Sequence, residues 1–92
     1  MAVEVRVTAV LQKIVGGAKS VKAQGATVGE ILNNLEDAYP GFKKQVTAED
    51  GELHRFVNIY VNDEDIRFLN QLDTRISEGD VVSILPALAG GA

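Results

Sequence analysis

The chain has 92 residues, which is enough for one domain with a core of its own. It contains no cysteine, and this excludes disulfides, thiolate catalysis, iron–sulfur clusters and cysteine-based zinc sites. Its 13 acidic and 9 basic residues give a net charge of −4, which argues against a nucleic-acid partner, and no apolar run approaches the roughly 20 residues of a membrane span.

The N-terminal residues alternate between apolar and polar side chains. Residues 3–11, VEVRVTAVL, therefore predict a first strand with one buried face. Gly16 and Gly17 can reverse the chain, because glycine readily adopts positive φ. Residues 19–24 are then expected to return as a second strand.

The next segment predicts one amphipathic helix. Thr27 can cap its first turn, and Glu30, three residues later, completes a capping-box pattern. Pro40-Gly41 ends the helix, since proline disfavours helical geometry in the residue before it. The apolar residues between recur at helical spacing and predict one buried stripe: Val28, Ile31, Leu32, Leu35 and Tyr39.

The run RFVNIYVN predicts the clearest strand of the chain. Before it, residues 42–46 are expected to form a further helical turn, and residues 47–52 a surface loop. Alternation along the run divides its side chains between a core face and an opposite face. The core face would carry Val57, Ile59 and Val61, and the opposite face Phe56, Asn58, Tyr60 and Asn62.

The remaining residues predict turns and short strands. DED at residues 63–65 is expected to be a polar turn, followed by a short strand over residues 66–69. SEGD predicts a turn in which Gly79 adopts positive φ. VVSILP is the last predicted strand, and Pro86 stops it because proline has no N–H to donate.

This order of elements predicts an α+β fold in which a mixed sheet curls around one main helix. The first and last strands are expected to meet in parallel at the centre of the sheet. Residues 1–86 would form this domain, and residues 87–92, ALAGGA, a flexible C-terminal tail.

Both the element order and the ending ILPALAGG resemble the ubiquitin-like β-grasp sulfur carriers of the MoaD/ThiS superfamily. Two-iron ferredoxins share this topology, but their cluster needs cysteines. The stretches LHRFVNIYVNDEDIRF and DVVSILPALAGG resemble most the carriers of the CysO type, which serve a protein-bound route to cysteine. The resemblance covers almost the whole chain.

The resemblance implies that the chain is a protein co-substrate and not an enzyme. The carboxylate of Gly91 would be adenylated with ATP and converted to a thiocarboxylate. Leu88, Ala89 and Gly90 would thread into the partner. Leu88 is the bulky residue that would set the register, and glycine, without a Cβ, lets the backbone pass through a narrow channel. Ala92 departs from the family ending, and the resemblance implies that processing removes it.

Three partners are implied by the same resemblance. An adenylyltransferase/sulfurtransferase of the E1 type would load the carrier, a PLP-dependent cysteine synthase would take the sulfur, and a zinc metalloprotease of the JAMM type would trim Ala92 and release the cysteine. PLP and zinc would belong to these partners, and the carrier itself would need no cofactor. No signal peptide is recognisable, so the cytoplasm is the expected compartment, with no membrane and no nucleic-acid partner.

Three alternative functions remain open on the sequence. The chain could carry sulfur for molybdopterin or thiamin, or it could modify proteins through Gly91. It could also be an adaptor with an idle tail, whose sheet face presents Phe56 and Tyr60 to a partner.

The other polar clusters are expected to be solvated surface residues and not catalytic or metal-binding groups. Asp63, Glu64 and Asp65 lack the spacing of a calcium loop and predict a solvated turn, so no metal site is expected. His54 is expected at a strand edge, and Lys43-Lys44 on a solvated helical face.

Overall fold

The computed structural model describes residues 2–8, 10–49, 51–54 and 57–86. Across these ranges the elements follow in a simple order. They are β1 (Ala2–Val7), α1 (Val10–Ile14), β2 (Ser20–Gln24), α2 (Val28–Ala38), α3 (Phe42–Val46), β3 (Val57–Val61), β4 (Glu64–Asp65), a first 3₁₀ helix (Ile66–Phe68), a second 3₁₀ helix (Gln71–Asp73) and β5 (Val81–Pro86).

In this described part of the chain, five strands form one mixed sheet in the order β2-β1-β5-β3-β4. The first and last strands lie side by side in parallel at its centre, with Val5 opposite Val82, as the sequence predicts. The other neighbouring strands are antiparallel. The predicted β-grasp fold is therefore confirmed.

The first strand ends earlier than predicted. Residues 3–11 were expected to be one strand, but β1 stops at Val7 and residues 10–14 form the short helix α1. Beyond Val7 the buried apolar residues are Leu11 and Val15, four apart, which is a helical and not an alternating spacing. The Gln12 carboxamide secures the junction by donating from Nε2 to the Val7 carbonyl oxygen at 3.0 Å.

Helix α2 begins at the predicted capping box. Thr27 Oγ1 accepts from the Glu30 backbone N–H at 3.2 Å, and Glu30 Oε1 accepts from the Ala26 N–H at 3.0 Å. The predicted stripe is buried at Val28, Ile31, Leu32 and Leu35, whereas Tyr39, at the C-cap, is partly buried against the core.

The turn expected over residues 42–46 is the helix α3, which buries Phe42 and Val46 in the core. Its N-terminus is capped from a distance by Glu36 of α2, whose carboxylate accepts from the N–H groups of Gly41 at 3.0 Å and Lys43 at 2.9 Å. These two backbone donors hold the pKa of Glu36 below its ordinary value. The same carboxylate therefore fixes the angle between α2 and α3.

The segment after β3 also differs from prediction. A strand was expected over residues 66–69, but residues 66–68 form a 3₁₀ helix, and the expected DED turn contributes Glu64 and Asp65 to the edge strand β4. Asp65 causes the change, because its Oδ1 accepts from the Arg67 N–H at 2.8 Å and caps the helix. The chain reverses before β4 through Asn62 and Asp63, both at positive φ.

One face of the sheet packs against the helices, and together they form the hydrophobic core. Among its described residues, the sheet contributes eight buried residues to this core: Val3, Val5, Val7, Ala23, Ile59, Val61, Val82 and Ile84. β3 confirms its predicted core residues, with Val57 partly buried. Within the described residues, no helix is both long enough and apolar enough to cross a membrane.

Candidate functional site

The candidate site is the end of the sheet at which β5 finishes. β5 lies between β1 and β3, and its last residue, Pro86, is in register with Val57 at the start of β3. The C-terminal segment therefore begins at the middle of the sheet and not at an edge. Several predicted site residues lie outside the described residues: Phe56, Leu88, Ala89, Gly90, Gly91 and Ala92.

The face of the sheet that points away from the core is called here the open face. It carries the side chains that alternate with the buried ones, and each of them is exposed or half-buried. Strand register aligns one row of these side chains across the whole sheet. That row is Ser20, Arg6, Ser83, Tyr60 and Asp65.

Tyr60, a predicted partner-surface residue, lies on this open face. It is half-buried and stands opposite Ser83 of β5 on one side and Asp65 of β4 on the other. The side chain is thus placed where an incoming protein could contact it.

Leu85 is an open-face residue that the sequence analysis did not single out. It is 36% exposed, although its strand neighbour Ile84 is 1% exposed, and it directly precedes Pro86. The signal was present in VVSILP, because a strand that buries Val82 and Ile84 must turn Leu85 outward. An apolar side chain at this position is suited to contact a protein that takes up the following segment.

Arg67 clamps the neighbouring end of β3. Its Nη2 donates to the carbonyl oxygen of Val57 at 2.8 Å and of His54 at 3.3 Å, and its Nη1 donates to Asn58 Oδ1 at 2.5 Å. Asn58 and Val57 are the register partners of Leu85 and Pro86. One guanidinium therefore secures the backbone against which the last residues of β5 pair.

The opposite end of the same strands is held by a second polar cluster. Asn62 Nδ2 donates to Asp80 Oδ1 at 2.9 Å, and Asn62 Oδ1 accepts from the Val81 N–H at 3.0 Å. Asp80 Oδ2 also accepts from the Ser77 N–H at 2.8 Å, and these bonds hold the pKa of Asp80 below its ordinary value. The turn predicted from SEGD, residues 77–80, is confirmed, with Gly79 at φ 90°.

The remaining polar residues of the sequence analysis lie elsewhere. His54, Lys43 and Lys44 line a shallow depression beside α3, where Lys43 Nζ donates to Asn33 Oδ1 at 2.6 Å. His54 donates its backbone N–H to the Val46 carbonyl oxygen at 2.8 Å. Across the described residues, no three His, Cys, Asp or Glu side chains are arranged to hold a metal ion.

Comparison with known proteins places this arrangement in a family. The model of the ThiS family matches residues 5–91. The sulfur carrier protein CysO of Mycobacterium tuberculosis is 50% identical over 93 residues, which cover 99% of this chain and 100% of that protein. A crystal structure of M. tuberculosis CysO matches with a TM-score of 0.90 at 48% identity, covering 94% of this chain and 99% of that one.

Two further relatives extend the comparison. A chain of the Amycolatopsis orientalis BexX/CysO complex matches with a TM-score of 0.89 at 47% identity, covering 97% of this chain and 99% of that one. The small archaeal modifier protein 3 of Haloferax volcanii is 36% identical over 94 residues, covering 99% of this chain and 100% of the relative. The chain therefore belongs to the ThiS family of ubiquitin-like β-grasp sulfur carriers, which are carrier proteins and not catalysts.

Proposed function

We propose that this carrier bears its sulfur as a thiocarboxylate on Gly91 and delivers it for cysteine biosynthesis. The observation that carries the proposal is the 50% identity with M. tuberculosis CysO over 99% of this chain. The family match also runs to residue 91, which supports Gly91 as the reacting residue and Ala92 as a residue removed by processing.

The proposed chemistry starts from a carboxylate, which is a poor electrophile. An oxygen of the Gly91 carboxylate attacks the α-phosphorus of ATP, and pyrophosphate leaves. Hydrosulfide then attacks the acyl carbon, AMP leaves with the electrons of the broken C–O bond, and the thiocarboxylate remains. In the acceptor enzyme, the thiocarboxylate sulfur bonds to the β-carbon of an activated serine, whose activated oxygen departs as the leaving group. The Gly91 acyl group then passes from sulfur to the amino nitrogen of the new cysteine, and hydrolysis of that amide bond releases the cysteine.

The position of the C-terminal segment supports this delivery. An extended residue spans at most about 3.3–3.6 Å, so the segment after Pro86 reaches roughly 20 Å from the sheet. Gly90 and Gly91 have no Cβ, which lets the backbone pass through a narrow channel. Leu88 is the bulky residue that would set the register of the segment in that channel, with Ala89 following it.

The open face supplies the surface on which a partner would rest. Tyr60 and Leu85 combine apolar area with a polar surround beside the strand that leads into the segment. We propose that Phe56 contributes to partner binding as well, because it alternates with Asn58 and Tyr60 in the sequence. The A. orientalis complex, in which CysO is paired with BexX, supports a protein as the occupant of such a surface.

Three partners complete the proposal. An E1-like adenylyltransferase/sulfurtransferase loads the carrier, a PLP-dependent cysteine synthase takes the sulfur, and a JAMM-type zinc metalloprotease trims Ala92 and releases the cysteine. Because loading consumes ATP, the proposed compartment is the cytoplasm.

Intact-mass measurement tests the loading step. A chain ending at Gly91 is incubated with ATP, sulfide and the activating enzyme of the same organism. We expect the mass to rise by the difference between one sulfur and one oxygen atom. A chain lacking residues 90–92 should remain unchanged, and the 92-residue chain should gain sulfur only after the metalloprotease has removed Ala92.

The outcome that overturns the proposal is equally defined. M. tuberculosis CysO serves as the positive control for the enzyme and the sulfide. If that control is loaded and the chain ending at Gly91 is not, this chain does not work through Gly91.

A second measurement tests the pathway. The loaded carrier is mixed with the cysteine synthase and an activated serine, or with a molybdopterin synthase large subunit or a thiazole synthase, each supplied with its own sulfur acceptor. The cysteine proposal predicts a Gly91–cysteine adduct with the first enzyme alone. Consumption of the thiocarboxylate only by one of the other two would assign the carrier to molybdopterin or thiamin.

Protein modification is a second candidate function, which the 36% identity with the H. volcanii modifier protein 3 supports. It predicts isopeptide bonds between Gly91 and lysines of other proteins in a lysate. Deletion of residues 90–92 should abolish such adducts and the sulfur transfer alike. An adaptor that works through its open face would keep partner binding after the same deletion.

A further inference from the structure

A groove with basic side chains runs beside the point where β5 ends. It has a volume of about 420 Å³ and lies between the ends of β1 and β5 and the start of β2. Its lining includes the cations Arg6 and Lys19, the carboxylate of Glu4, and the side chains of Gln12 and Leu85. The groove therefore borders the last open-face side chain before the C-terminal segment.

The cations of the groove are poorly neutralised within the molecule. Arg6 Nε lies 2.9 Å from Glu4 Oε2, but the Arg6 side chain remains 61% exposed. The same Glu4 stands in register with Lys22 of β2, so one carboxylate faces two cations. Lys19 is exposed, and no described residue forms an ion pair with it.

The other flank of the open face has the opposite character. Asp63, in the turn before β4, and Glu64, at the β4 edge of the sheet, are exposed beside it. The charge of Arg67 is directed into the bonds of its clamp and toward Asp65, 4.0 Å away. In a chain with a net charge of −4, a positive flank next to the C-terminal segment runs against the average charge of the surface. The open face is therefore positive at one edge and negative at the other, and a partner with complementary charges can bind it in only one orientation.

We propose that this groove receives acidic side chains at the mouth of the channel of the activating enzyme. The inference rests on the proposed function, since it requires a partner that takes up the C-terminal segment. Arg6 and Lys19 would align with carboxylates at the rim of the channel while Leu85 makes the apolar contact beside them. Complementary charges of this kind steer association and fix its orientation.

A protein fits this groove better than a nucleic acid. Two groove cations and Lys22 are few charges for binding a phosphate backbone. The acidic flank at the other edge of the sheet would also repel a polyanion. Carboxylates on a folded rim, in contrast, can meet the positive flank and avoid the negative one.

Loading rates of charge variants test the inference. Arg6→Gln with Lys19→Gln removes both groove cations. Lys44→Gln with Arg75→Gln is the matched control, because it also removes one lysine and one arginine, both exposed and outside the groove. At low ionic strength we expect the groove variant to be loaded about tenfold more slowly than the control. The difference should shrink as salt screens the charges.

A conservative variant separates charge from packing. Arg6→Lys with Lys19→Arg keeps both charges and should be loaded at nearly the wild-type rate. All variants should reach the same final yield of thiocarboxylate, since Gly91 is unchanged. Urea unfolding verifies that each variant is folded before its rate is measured.

Three results would overturn the inference. They are equal rates for the groove variant and its matched control, a rate difference that salt does not reduce, and slowing of wild-type loading by duplex DNA, which would make nucleic acid the occupant. All variants are made in the chain ending at Gly91. Failure of the proposed function looks different, because that chain with the wild-type groove would then gain no sulfur at any salt concentration.

Discussion

The two ends of the central strands use their polar groups in different ways. At the end far from the C-terminal segment, Asn62 and Asp80 bond to each other and to the backbone N–H groups of Val81 and Ser77. At the end next to the segment, Arg67 secures the start of β3, but Arg6 and Lys19 remain open to the solvent.

The difference shows how a small carrier can have a rigid sheet and still present charged side chains to a partner. Polar groups that are satisfied inside the molecule stabilise its geometry and offer little to a partner. Exposed charges, such as Arg6 in its surface ion pair with Glu4 or Lys19 without an ion pair to a described residue, contribute little to folding but are available for recognition. The far end is thus suited to hold the sheet together, and the near end to be held by another protein.

The sharpest way to break this comparison is to substitute two neighbours in β5. Ile84→Ala leaves a cavity in the core and should lower the free energy of unfolding by about 2–5 kcal/mol. Leu85→Ala removes an exposed side chain and should change it by less than about 1 kcal/mol, but should slow loading. Urea denaturation and loading rates measure both, and a large loss of stability in Leu85→Ala would show that Leu85 belongs to the core.

A smaller effect is expected at the clamp on β3. Arg67→Met keeps the aliphatic stem but leaves the Val57 carbonyl oxygen and Asn58 Oδ1 without this donor. We expect a loss of about 1–3 kcal/mol, with faster amide exchange at the start of β3 than at its end. The exposed Arg75→Met is the matched control, and equal effects of the two substitutions would contradict a clamp.

The smallest effect concerns acid stability at the far end. The folded pKa of Asp80 lies below its ordinary value of 3.8, because the Ser77 N–H and the Asn62 amide favour the ionised carboxylate. The stability that the ionised Asp80 carboxylate adds to the folded state is therefore fully present above the unfolded pKa. It is lost as the pH falls through the lower folded pKa. From about pH 5 to about pH 2, wild type should lose more stability than Asp80→Asn.

The control for this titration is Asp37→Asn, which removes an exposed carboxylate from α2 and reports the effect of net charge. Parallel pH curves for wild type and Asp80→Asn would mean that the hydrogen bonds at Asp80 do not depend on its charge.

Regular periodicity made most of the fold predictable. The strands β2, β3 and β5 and the helix α2 follow repeats of two or of 3.6 residues, and local signals such as the Thr27 cap mark their boundaries. The failures lie where a side chain overrides the repeat. Gln12 and the buried pair Leu11 and Val15 convert the end of a predicted strand into α1.

The candidate site was less predictable, since its contacts join distant parts of the sequence. The sequence near Arg67 does not predict that its guanidinium bonds to the carbonyl oxygens of His54 and Val57. It is equally impossible to predict locally that Arg6 and Lys19 line one groove with Leu85. The tail residues could be proposed from the sequence because their resemblance to known carriers is local, and the surface around them required the sheet.

The parallel pairing of β1 with β5 has a consequence for biosynthesis. The ribosome makes β1 first and β5 last among the described strands, so the sheet closes only when nearly the whole domain has been translated, and such distant pairing is slow. Since β5 also leads into the segment that we propose to be loaded, a nascent or misfolded chain lacks the ordered strand that would present it. Under this proposal, folding acts as quality control, and the activating enzyme meets a usable substrate only after the domain is complete.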